Sequence, residues 1–508
     1  MISSLRSFGV LGMDAFVVNV ETDLSTGIPC FDLVGLPDAS IKESRERVRS
    51  ALKNSGFSFP IRKITVNLAP ADIKKTGSFY DLPILVAILK ASGQLTANID
   101  NSAFVGELSL SGKVRPINGI LCMTIKAKEI GVENFYLPKQ NAAEGAAIDG
   151  IRVLPVESVS ELMSHLCNKH IINPAKKIFK KIKNNVFLPD YSEVCGQYRA
   201  KRALEIAAAG GHNIILIGPP GSGKSMLAKR LPSILPSMTF KESLETTKVY
   251  SIAGLLKSST SLVEDRPFRS PHHTISAVGL VGGGNIPRPG EISLSHNGVL
   301  FLDEMPEFSR NSLEVLRQPL EDGTVTISRA NSILSYPCCT MLVAAMNPCM
   351  CGYFGDPNHN CTCSSKSIQR YSSKISGPLL DRLDMQIEVP AINFSEFTNK
   401  KLNETSKNIK ERVSKARNIQ LERCKNTSIS YNAKISSNLI SKVCILSNSA
   451  TKILELTFNK LGFSARAYSK ILKVARTIAD LEQKELIEDN HVLEAVQYRS
   501  FDKNFYVN

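Results

Sequence analysis

Apolar and polar positions follow two patterns along the first 165 residues. Short runs with alternating apolar residues predict strands at 16–24 (FVVNVETDL), 64–70 (ITVNLAP) and 104–112 (FVGELSLSG). Longer runs predict helices at 40–56 (SIKESRERVRSALKNSG) and 82–93 (LPILVAILKASG). Residues 1–165 are therefore predicted to form one α/β domain. The lysine-rich stretch NPAKKIFKKIKNN lies within residues 166–190, which are predicted to be a basic linker, either plain or touching nucleic acid.

A second apolar run, NIILI at 213–217, is long enough for one buried strand and is followed directly by GPPGSGKS. This is the spacing of a phosphate-binding P-loop. Glycines let backbone N–H groups cradle phosphate oxygens, Lys224 reaches the β- and γ-phosphates, and the Ser225 hydroxyl coordinates Mg²⁺. The predicted nucleotide-binding residues are Gly218, Pro219, Pro220, Gly221, Ser222, Gly223, Lys224 and Ser225. The alternative is a glycine-rich strand-to-helix turn without a ligand.

A third apolar run, VLFL, is followed by two carboxylates, Asp303 and Glu304. Downstream of a P-loop, acidic residues at a strand's carboxyl end lie where ligands gather. We expect Asp303 to hold Mg²⁺ through water and Glu304 to polarise the attacking water. The alternative is a buried strand that ends in a solvated acidic turn. The sequence therefore predicts that the chain binds ATP with Mg²⁺ and hydrolyses it.

Two segments near the acidic pair carry turn residues rather than long helical patterns. Residues 268–298 are rich in glycine and proline, which predicts a loop or hairpin, and residues 324–337 predict a strand–turn–strand. Residues 311–323 between these elements are predicted to be helical and to stop at Gly323. Within the first segment, His272 and His273 are adjacent and would point to opposite faces, so structural or loop roles are favoured over metal binding.

The next predicted strand, TMLVAAMNP at 340–348, ends in Asn347, a polar side chain suited to positioning water. Four cysteines follow within fifteen residues: Cys349, Cys351, Cys361 and Cys363. Four thiolates can make a tetrahedral Zn²⁺ site, although each Cys-x-Cys pair is tighter than the usual Cys-x₂-Cys. His359 is a further ligand candidate. Zinc and reduced, unligated cysteines both remain open.

The residue pattern predicts helices in the last part of the chain. Arg382 lies between two aspartates and before a predicted strand, so either a role outside its own P-loop or a salt bridge with Asp381 or Asp384 is expected. Residues 401–425 are basic and helical, and residues 401–508 together predict an all-helical module. Arg466 lies near the start of one of its helices.

Charge and composition limit the function classes. The 508 residues are 43% hydrophobic and carry a net charge of +15. Residues 166–190 hold six basic and one acidic side chain, and residues 401–508 hold nineteen and eleven. This basic excess favours a polyanion such as nucleic acid, with a solvated lysine-rich surface as the alternative. No run approaches the ~20 apolar residues of a membrane span, and no signal peptide is evident, so a cytoplasmic protein with reduced cysteines is expected.

The N-terminal domain resembles the proteolytic domain of Lon-type proteases. GELSLSGKVRPINGI (106–120) is similar to the strand-and-turn signature of that family. KKTGSFYDLP lies where such proteases carry a nucleophilic serine, but the aligned position falls near Phe79, and Ser78 is one place off. ILCMTI, after Gly119, lacks the lysine of the family. A Ser–Lys pair is therefore expected to be absent, and the fold is expected without the peptidase chemistry.

The whole chain resembles an AAA+ ATPase of the Mg-chelatase-like group, specifically the ComM competence-protein family. In the first domain the resemblance rests on FDLVGLPDASIKESRERVRSALKNSGFSFP and ITVNLAPADIKKTGSFYDLP. In the ATPase it rests on GPPGSGKS, FRSPHHTIS, GGGNIPRPGEISLSHNGVLFLDE, LRQPLEDG, AAMNPCMCGY and SGPLLDRLD. The implied layout is an inactive Lon-like domain (1–165), a linker (166–190), an AAA+ core with inserted β-hairpins (191–400) and an all-helical lid (401–508).

This resemblance also implies a function and several residue roles. It implies a hexameric ring that moves along DNA and drives branch migration during homologous recombination and natural transformation. It implies that Asn347 is sensor 1, that Arg382 is a finger acting on the neighbour's ATP, and that Arg466 is sensor 2. The hairpins at 268–298 and 324–337 would line the pore, and Arg329 is the candidate DNA contact.

Two other function classes remain open. One is a Mg-chelatase- or MoxR-like protein-remodelling ATPase without DNA activity, and stimulation of ATP hydrolysis by DNA would distinguish it. The other is an ATP-dependent protease, against which the missing Ser–Lys pair argues and which a protein-degradation assay would detect. DNA, a homo-oligomer and no membrane are the expected partners.

Overall fold

The computed structural model describes residues 2–177, 189–284, 287–329, 332–357, 359–391, 403–425, 427 and 429–499, without the side chains of Arg329 and Ser332. The chain divides into two compact units. The first consists of Met1–Asn184 and Ser243–Val263, and the second of Asn185–Glu242 and Glu264–Asn508. Within the described ranges, no helix is both long and apolar enough to cross a membrane.

The first unit is an α/β structure. Its strands are β1 (Ile2–Leu11), β2 (Asp14–Ser25), β3 (Cys30–Val34), β4 (Lys63–Ala69), β5 (Ser102–Phe104), β6 (Glu107–Leu108), β7 (Val114–Arg115), β8 (Asn134–Pro138) and β9 (Arg152–Val156). Its helices are α1 (Ala39–Asn54), α2 (Asp81–Ala91), α3 (Ile120–Glu129), α4 (Ala142–Gly145) and α5 (Val159–Leu166). Seven strands form a mixed sheet in the order β3-β4-β2-β1-β5-β8-β9, and β6 pairs with β7.

Burial along these elements follows the apolar pattern of the sequence. In β4, Ile64, Val66 and Leu68 are buried while the residues between them are not, as one covered sheet face requires. The predicted strand at 104–112 is wrong as a single element, because β5 and β6 are separate strands. Gly106 breaks the run at a φ of 157°, where its N–H donates to the Phe79 carbonyl.

In the second unit, strands alternate with helices, and short hairpins are inserted between them. Its strands are β10 (Ile214–Ile217), β11 (Phe268–Arg269), β12 (Gly282–Gly283), β13 (Arg288–Pro289), β14 (Val299–Leu302), β15 (Thr324–Arg329), β16 (Ser332–Pro337), β17 (Met341–Met346) and β18 (Met385–Glu388). The first group of helices is α6 (Tyr198–Gly210), α7 (Lys224–Arg230), α9 (Ala277–Val281), α10 (Glu291–Leu294), α11 (Arg310–Glu314), α12 (Arg317–Asp322), α13 (Ser365–Ser372) and α14 (Gly377–Leu380). Helix α8 (Phe240–Ala253) begins in the second unit, and its residues from Ser243 onward belong to the first. The C-terminal helices are α15 (Ser406–Arg423), α16 (Ser437–Val443), α17 (Asn448–Leu461), α18 (Ala465–Leu481) and α19 (Asp489–Gln497).

Five strands of the second unit form a parallel sheet in the order β11-β14-β17-β10-β18. β10, β14 and β17 are buried at every position, which explains their continuous apolar runs. Parallel strands present their carboxyl ends at one edge. The residues that follow β10, β14 and β17 therefore meet there.

The inserted segments are built differently from one another. β15 and β16 form an antiparallel hairpin from Thr324↔Pro337 to Arg329↔Ser332. Residues 268–298 hold short helices as well as the small β12–β13 pair. The predicted helix at 311–323 is two helices, α11 and α12, because Pro319 has no N–H to continue the ladder across the junction. It stops at Gly323, whose φ of 68° is left-handed.

Candidate active site

Three polar segments meet at the carboxyl edge of the parallel sheet. The P-loop follows β10, Asp303 follows β14, and Asn347 follows β17. Gly221 and Gly223 have φ values of 78° and 88°, a conformation that favours glycine. A Cβ on Gly218 would lie 2.1 Å from the Val389 carbonyl oxygen, so close packing also demands glycine there. The loop is thus shaped by its backbone, as the sequence spacing predicted.

Lys224 is the central cation of this edge. Its ammonium donates to the carbonyl oxygens of Gly218 at 2.7 Å and Pro219 at 2.8 Å. It also lies 3.2 Å from Asn347 Oδ1. Burial lowers the pKa of Lys224 to about 8, while Asp303 and Glu304 act in the opposite direction. An ammonium held mainly by neutral oxygens in a buried place is well suited to an anionic ligand.

The predicted magnesium ligands contact each other. Ser225 Oγ donates to Asp303 Oδ2 at 2.7 Å, across 78 residues of sequence. A hydroxyl beside a carboxylate supplies the oxygen ligands that Mg²⁺ prefers. The arrangement therefore fits the metal chemistry that the sequence predicted.

Glu304 has an unusual backbone conformation. Its φ of 50° is left-handed, which for a non-glycine residue costs on the order of 1–3 kcal/mol and is concentrated at functional sites. Its N–H donates to Asp303 Oδ1 at 3.1 Å, and its carboxylate oxygen lies 4.0 Å from His273 Nδ1. The side chain is 61% exposed. This carboxylate can therefore meet both water and a bound ligand.

Two further side chains, Gln197 and Tyr371, shape the same edge. Gln197 donates from Nε2 to the carbonyl oxygens of Ser222 at 3.2 Å and Pro390 at 2.7 Å. Its left-handed φ of 54° follows the Cys-Gly-Gln turn before α6, and that turn was the available signal. Burial raises the pKa of Tyr371 to about 12, and the backbone N–H of Asn347 opposes that rise. Nothing in the local sequence indicated Tyr371.

The four cysteines of 349–363 come together. Their sulphur atoms all lie within 4.8 Å of one another. The sulphur of Cys349 lies 3.3 Å from that of Cys351 and 3.7 Å from that of Cys361, and the sulphurs of Cys351 and Cys361 are 3.6 Å apart. A tetrahedron with 2.3 Å Zn–S bonds has an edge of about 3.8 Å. Backbone N–H groups of Tyr353 and Thr362 lower the pKa of Cys351 to about 5, whereas burial and the neighbouring thiols raise the pKa of Cys361 to about 12 against the N–H of Cys363.

The loop that carries these cysteines packs against the P-loop. Gly352 lies so close to Pro220 that a Cβ on the glycine would be 2.6 Å from the proline Cδ. His359 faces Asp356 at 3.7 Å and stacks on Tyr353, and it is not part of the four-sulphur group. The cysteine group therefore borders the nucleotide edge without a histidine member among the described residues.

The two predicted arginines pair away from the P-loop. Arg382 donates to the Glu321 carboxylate and to the Pro378 carbonyl oxygen, so the alternative of a salt bridge with Asp381 or Asp384 is wrong. Arg466 lies 3.6 Å from Asp381 and is 68% exposed. Within the described ranges, no hydrogen bond or ion pair joins either arginine to residues 218–225. The side chain of Arg329, the candidate DNA contact, lies outside the described residues.

In the first unit, Ser78 does not meet a basic partner. Its hydroxyl donates to the Glu107 carboxylate. Lys75, three residues earlier, is fully buried, and its ammonium has no hydrogen-bond partner in the described part of the chain. The expected absence of a Ser–Lys pair agrees with these contacts.

Three family models together match most of the chain. Residues 190–397 match the family model described as magnesium chelatase, subunit ChlI. Residues 20–141 match the model for subunit ChlI of Mg-chelatase, and residues 403–499 match the ChlI C-terminal model.

Individual relatives align over different extents. Competence protein ComM of Haemophilus influenzae is 44% identical over 500 residues, which is 96% of each chain. The uncharacterized protein YifB of Escherichia coli is 42% identical over 507 residues, or 99% of this chain and 98% of its own. Lon protease 2 of Bacillus subtilis is 26% identical over 211 residues, which is 40% of this chain and 36% of that protein.

Proposed function

The chain belongs to the Mg-chelatase-like AAA+ family that includes competence protein ComM, and we propose that it is a hexameric ATPase that moves along DNA. Its proposed role is branch migration during homologous recombination and natural transformation, in the cytoplasm. The proposal of ATP hydrolysis rests on two contacts at one sheet edge. Lys224 contacts Asn347, and Ser225 contacts Asp303. The full-length identity to a competence protein supports the DNA part.

ATP binding is proposed to use the P-loop and the buried lysine. Backbone N–H groups of residues 218–225 cradle the phosphates, and Lys224 moves from its carbonyl partners to the β- and γ-phosphates. Ser225 and Asp303 would hold Mg²⁺, with a water between the ion and Asp303. Mg²⁺, when bound, neutralises charge on the β- and γ-phosphate oxygens.

Hydrolysis is proposed to depend on Glu304 and Asn347. Glu304 accepts a proton from water as the water oxygen bonds to the γ-phosphorus, and the bond to the bridging oxygen breaks with ADP as the leaving group. Asn347 positions that water, since its side chain already lies 3.2 Å from the Lys224 ammonium. The exposure of Glu304 leaves its carboxylate accessible to this water.

Arg382 and Arg466 are proposed to act at the boundary between subunits. Asp381 binds Arg466 and directly precedes Arg382, so the two guanidinium groups belong to one patch. Neither contacts its own P-loop in the part of the chain that the structure describes. Arg382 is therefore proposed to be the finger that serves the ATP of a neighbouring subunit, and Arg466 is proposed to be sensor 2.

The first unit is proposed to keep the Lon-like fold without peptidase chemistry. The Ser78 hydroxyl donates to the Glu107 carboxylate instead of pairing with a lysine amine, so the Ser–Lys pair of such proteases is not formed at this serine. Its contribution to the motor is therefore proposed to be structural or binding.

Cys349, Cys351, Cys361 and Cys363 are proposed to hold one structural Zn²⁺. Their sulphur separations fit a tetrahedral Zn–S₄ edge. Such a site would stiffen the loop that packs on Pro220 through Gly352. The zinc site would then support the shape of the P-loop rather than take part in hydrolysis.

Purified chain is expected to contain about one equivalent of zinc by elemental analysis. Cys361→Ser should lower the zinc content and reduce Tm by about 4–8 °C, corresponding to ~2–3 kcal/mol. It should also weaken ATP binding, because the loop against Pro220 loosens. Cys167→Ser is the matched control, since that exposed cysteine lies outside the group. Metal-free wild-type protein with the same Tm as zinc-loaded protein would contradict the site.

The DNA part is tested by measuring ATP hydrolysis with single-stranded, duplex and forked DNA. Hydrolysis is expected to rise with DNA. Binding should depend little on sequence and should weaken about 10³-fold between 50 and 200 mM salt if about six phosphates are contacted. Arg329→Ala should reduce DNA stimulation more than the DNA-free rate. An unchanged rate and no binding at low salt would instead favour a Mg-chelatase- or MoxR-like protein-remodelling ATPase.

A further inference from the structure

In the single chain, the guanidinium of Arg382 already donates hydrogen bonds to two acceptors. Its Nη2 donates to the Glu321 carboxylate and its Nη1 donates to the Pro378 carbonyl oxygen at 2.9 Å. The Nε is buried without a partner among the described residues. The arginine side chain is 18% exposed, while that of Glu321 is 61% exposed. Glu321 therefore holds Arg382 from the solvent side.

This contact competes with a role in phosphoryl transfer. An arginine stabilises the transferred phosphoryl group by aiming charged N–H groups at its oxygens. While Nη2 is bound to a carboxylate, its charge is compensated and its donor is engaged. A half-exposed pair of this kind is weak, so a modest displacement can break it.

Glu321 also sits where the chain enters the β15–β16 hairpin. It is the next-to-last residue of α12, and Gly323 is the only residue between that helix and β15. The Gly323 carbonyl accepts the Cys338 N–H at 2.8 Å, just beyond the other end of the hairpin. The base of the hairpin and the end of α12 are thus joined by one residue and one hydrogen bond.

We propose that Glu321 is a positioning residue that withholds Arg382 from the neighbour's nucleotide until the β15–β16 hairpin is displaced. The inference rests on the proposed function, in which Arg382 acts in trans and the hairpin meets DNA. It adds a coupling between the hairpin and the arginine. A DNA strand that passes the hairpin shifts the end of α12, and Glu321 then releases Arg382. The position of the hairpin in one subunit then controls whether Arg382 of that subunit can reach the ATP of the neighbouring subunit.

The test compares DNA-free ATP hydrolysis by the wild type, Glu321→Gln, Arg382→Ala and the double variant at equal, saturating chain concentration. Glu321→Gln is expected to raise the rate about two- to fivefold, the effect of losing one partly exposed ion pair. In the Arg382→Ala background the same substitution should change nothing, because it acts through Arg382. Asp322→Asn is the matched control: it is the adjacent exposed carboxylate, which forms no salt bridge within the described ranges. It should match the wild type.

A second measurement is the ratio of rates with and without DNA. That ratio should be smaller for Glu321→Gln than for the wild type, since part of the release has already occurred. An unchanged or lower DNA-free rate in Glu321→Gln, or an equal rise in the Arg382→Ala background, would overturn the inference. If DNA has no effect on any variant but the DNA-free pattern appears, the DNA role fails and Glu321 still restrains Arg382. If the wild type hydrolyses no more ATP than Lys224→Ala, the proposed ATPase is wrong and the inference falls with it.

Discussion

Glu304→Gln is expected to bind ATP normally and to hydrolyse it about 10²–10⁴-fold more slowly, the usual loss when a positioned general base is removed. The amide has the same size as the carboxylate, so the Asp303–Ser225 contact and the P-loop remain intact. It cannot accept the proton of the attacking water. Binding is measured by calorimetry and turnover by phosphate release.

Two controls accompany that measurement. Lys224→Ala should lose ATP binding itself, because the phosphates lose their buried cation. Glu307→Gln makes the same chemical change three residues away, at a carboxylate that pairs with Lys374 at 3.3 Å, and should keep its turnover. Turnover by Glu304→Gln close to that of the wild type would remove Glu304 from the proposed mechanism.

Arg382→Ala is expected to bind ATP and assemble while losing on the order of 10³-fold or more in hydrolysis, as for arginine fingers in other P-loop enzymes. The reason is that its guanidinium supplies charge to the γ-phosphoryl group of the adjacent subunit. Mixing Arg382→Ala with Lys224→Ala chains should restore part of the activity. A mixed boundary pairs an intact P-loop from one variant with an intact arginine from the other.

Each variant alone, at the same total concentration, is the control for mixing. Hydrolysis by the wild type should also rise more than linearly with chain concentration as subunits assemble. Normal turnover by Arg382→Ala, or no restoration under conditions where labelled subunits demonstrably exchange, would show that the site is not shared between subunits.

Short-range sequence signals were sufficient to place much of the candidate site. The spacing from Gly218 to Ser225 predicts the loop because the backbone conformation of a P-loop depends on a few neighbouring residues. The apolar runs of β10, β14 and β17 predict buried parallel strands, and the polar residue after each strand falls at the same sheet edge. Ser225 and Asp303 could be paired on this basis before their 2.7 Å contact was seen.

The same signals were insufficient where the break in a strand or the closure of a loop depended on tertiary packing. The run at 104–112 has a strand pattern throughout, yet the hydrogen bond from Gly106 to Phe79 divides it between two sheets. The spacing of the four cysteines left zinc and unligated thiols equally open. Only the folded loop, with sulphur atoms 3.3–3.7 Å apart, shows that they can share one ion.

The sequence by itself determined the α/β class, the P-loop, the acidic pair and the helical C-terminal region, because each is encoded within a few turns of helix or one strand. The tertiary structure alone decided that Arg382 binds Glu321, 61 residues away, instead of its neighbouring aspartates. It also decided that Asn347 reaches Lys224 across 123 residues and that Gly352 packs on Pro220. Such partners depend on which strands lie side by side and which loops share an edge, and these are properties of the assembled sheet that no local pattern carries.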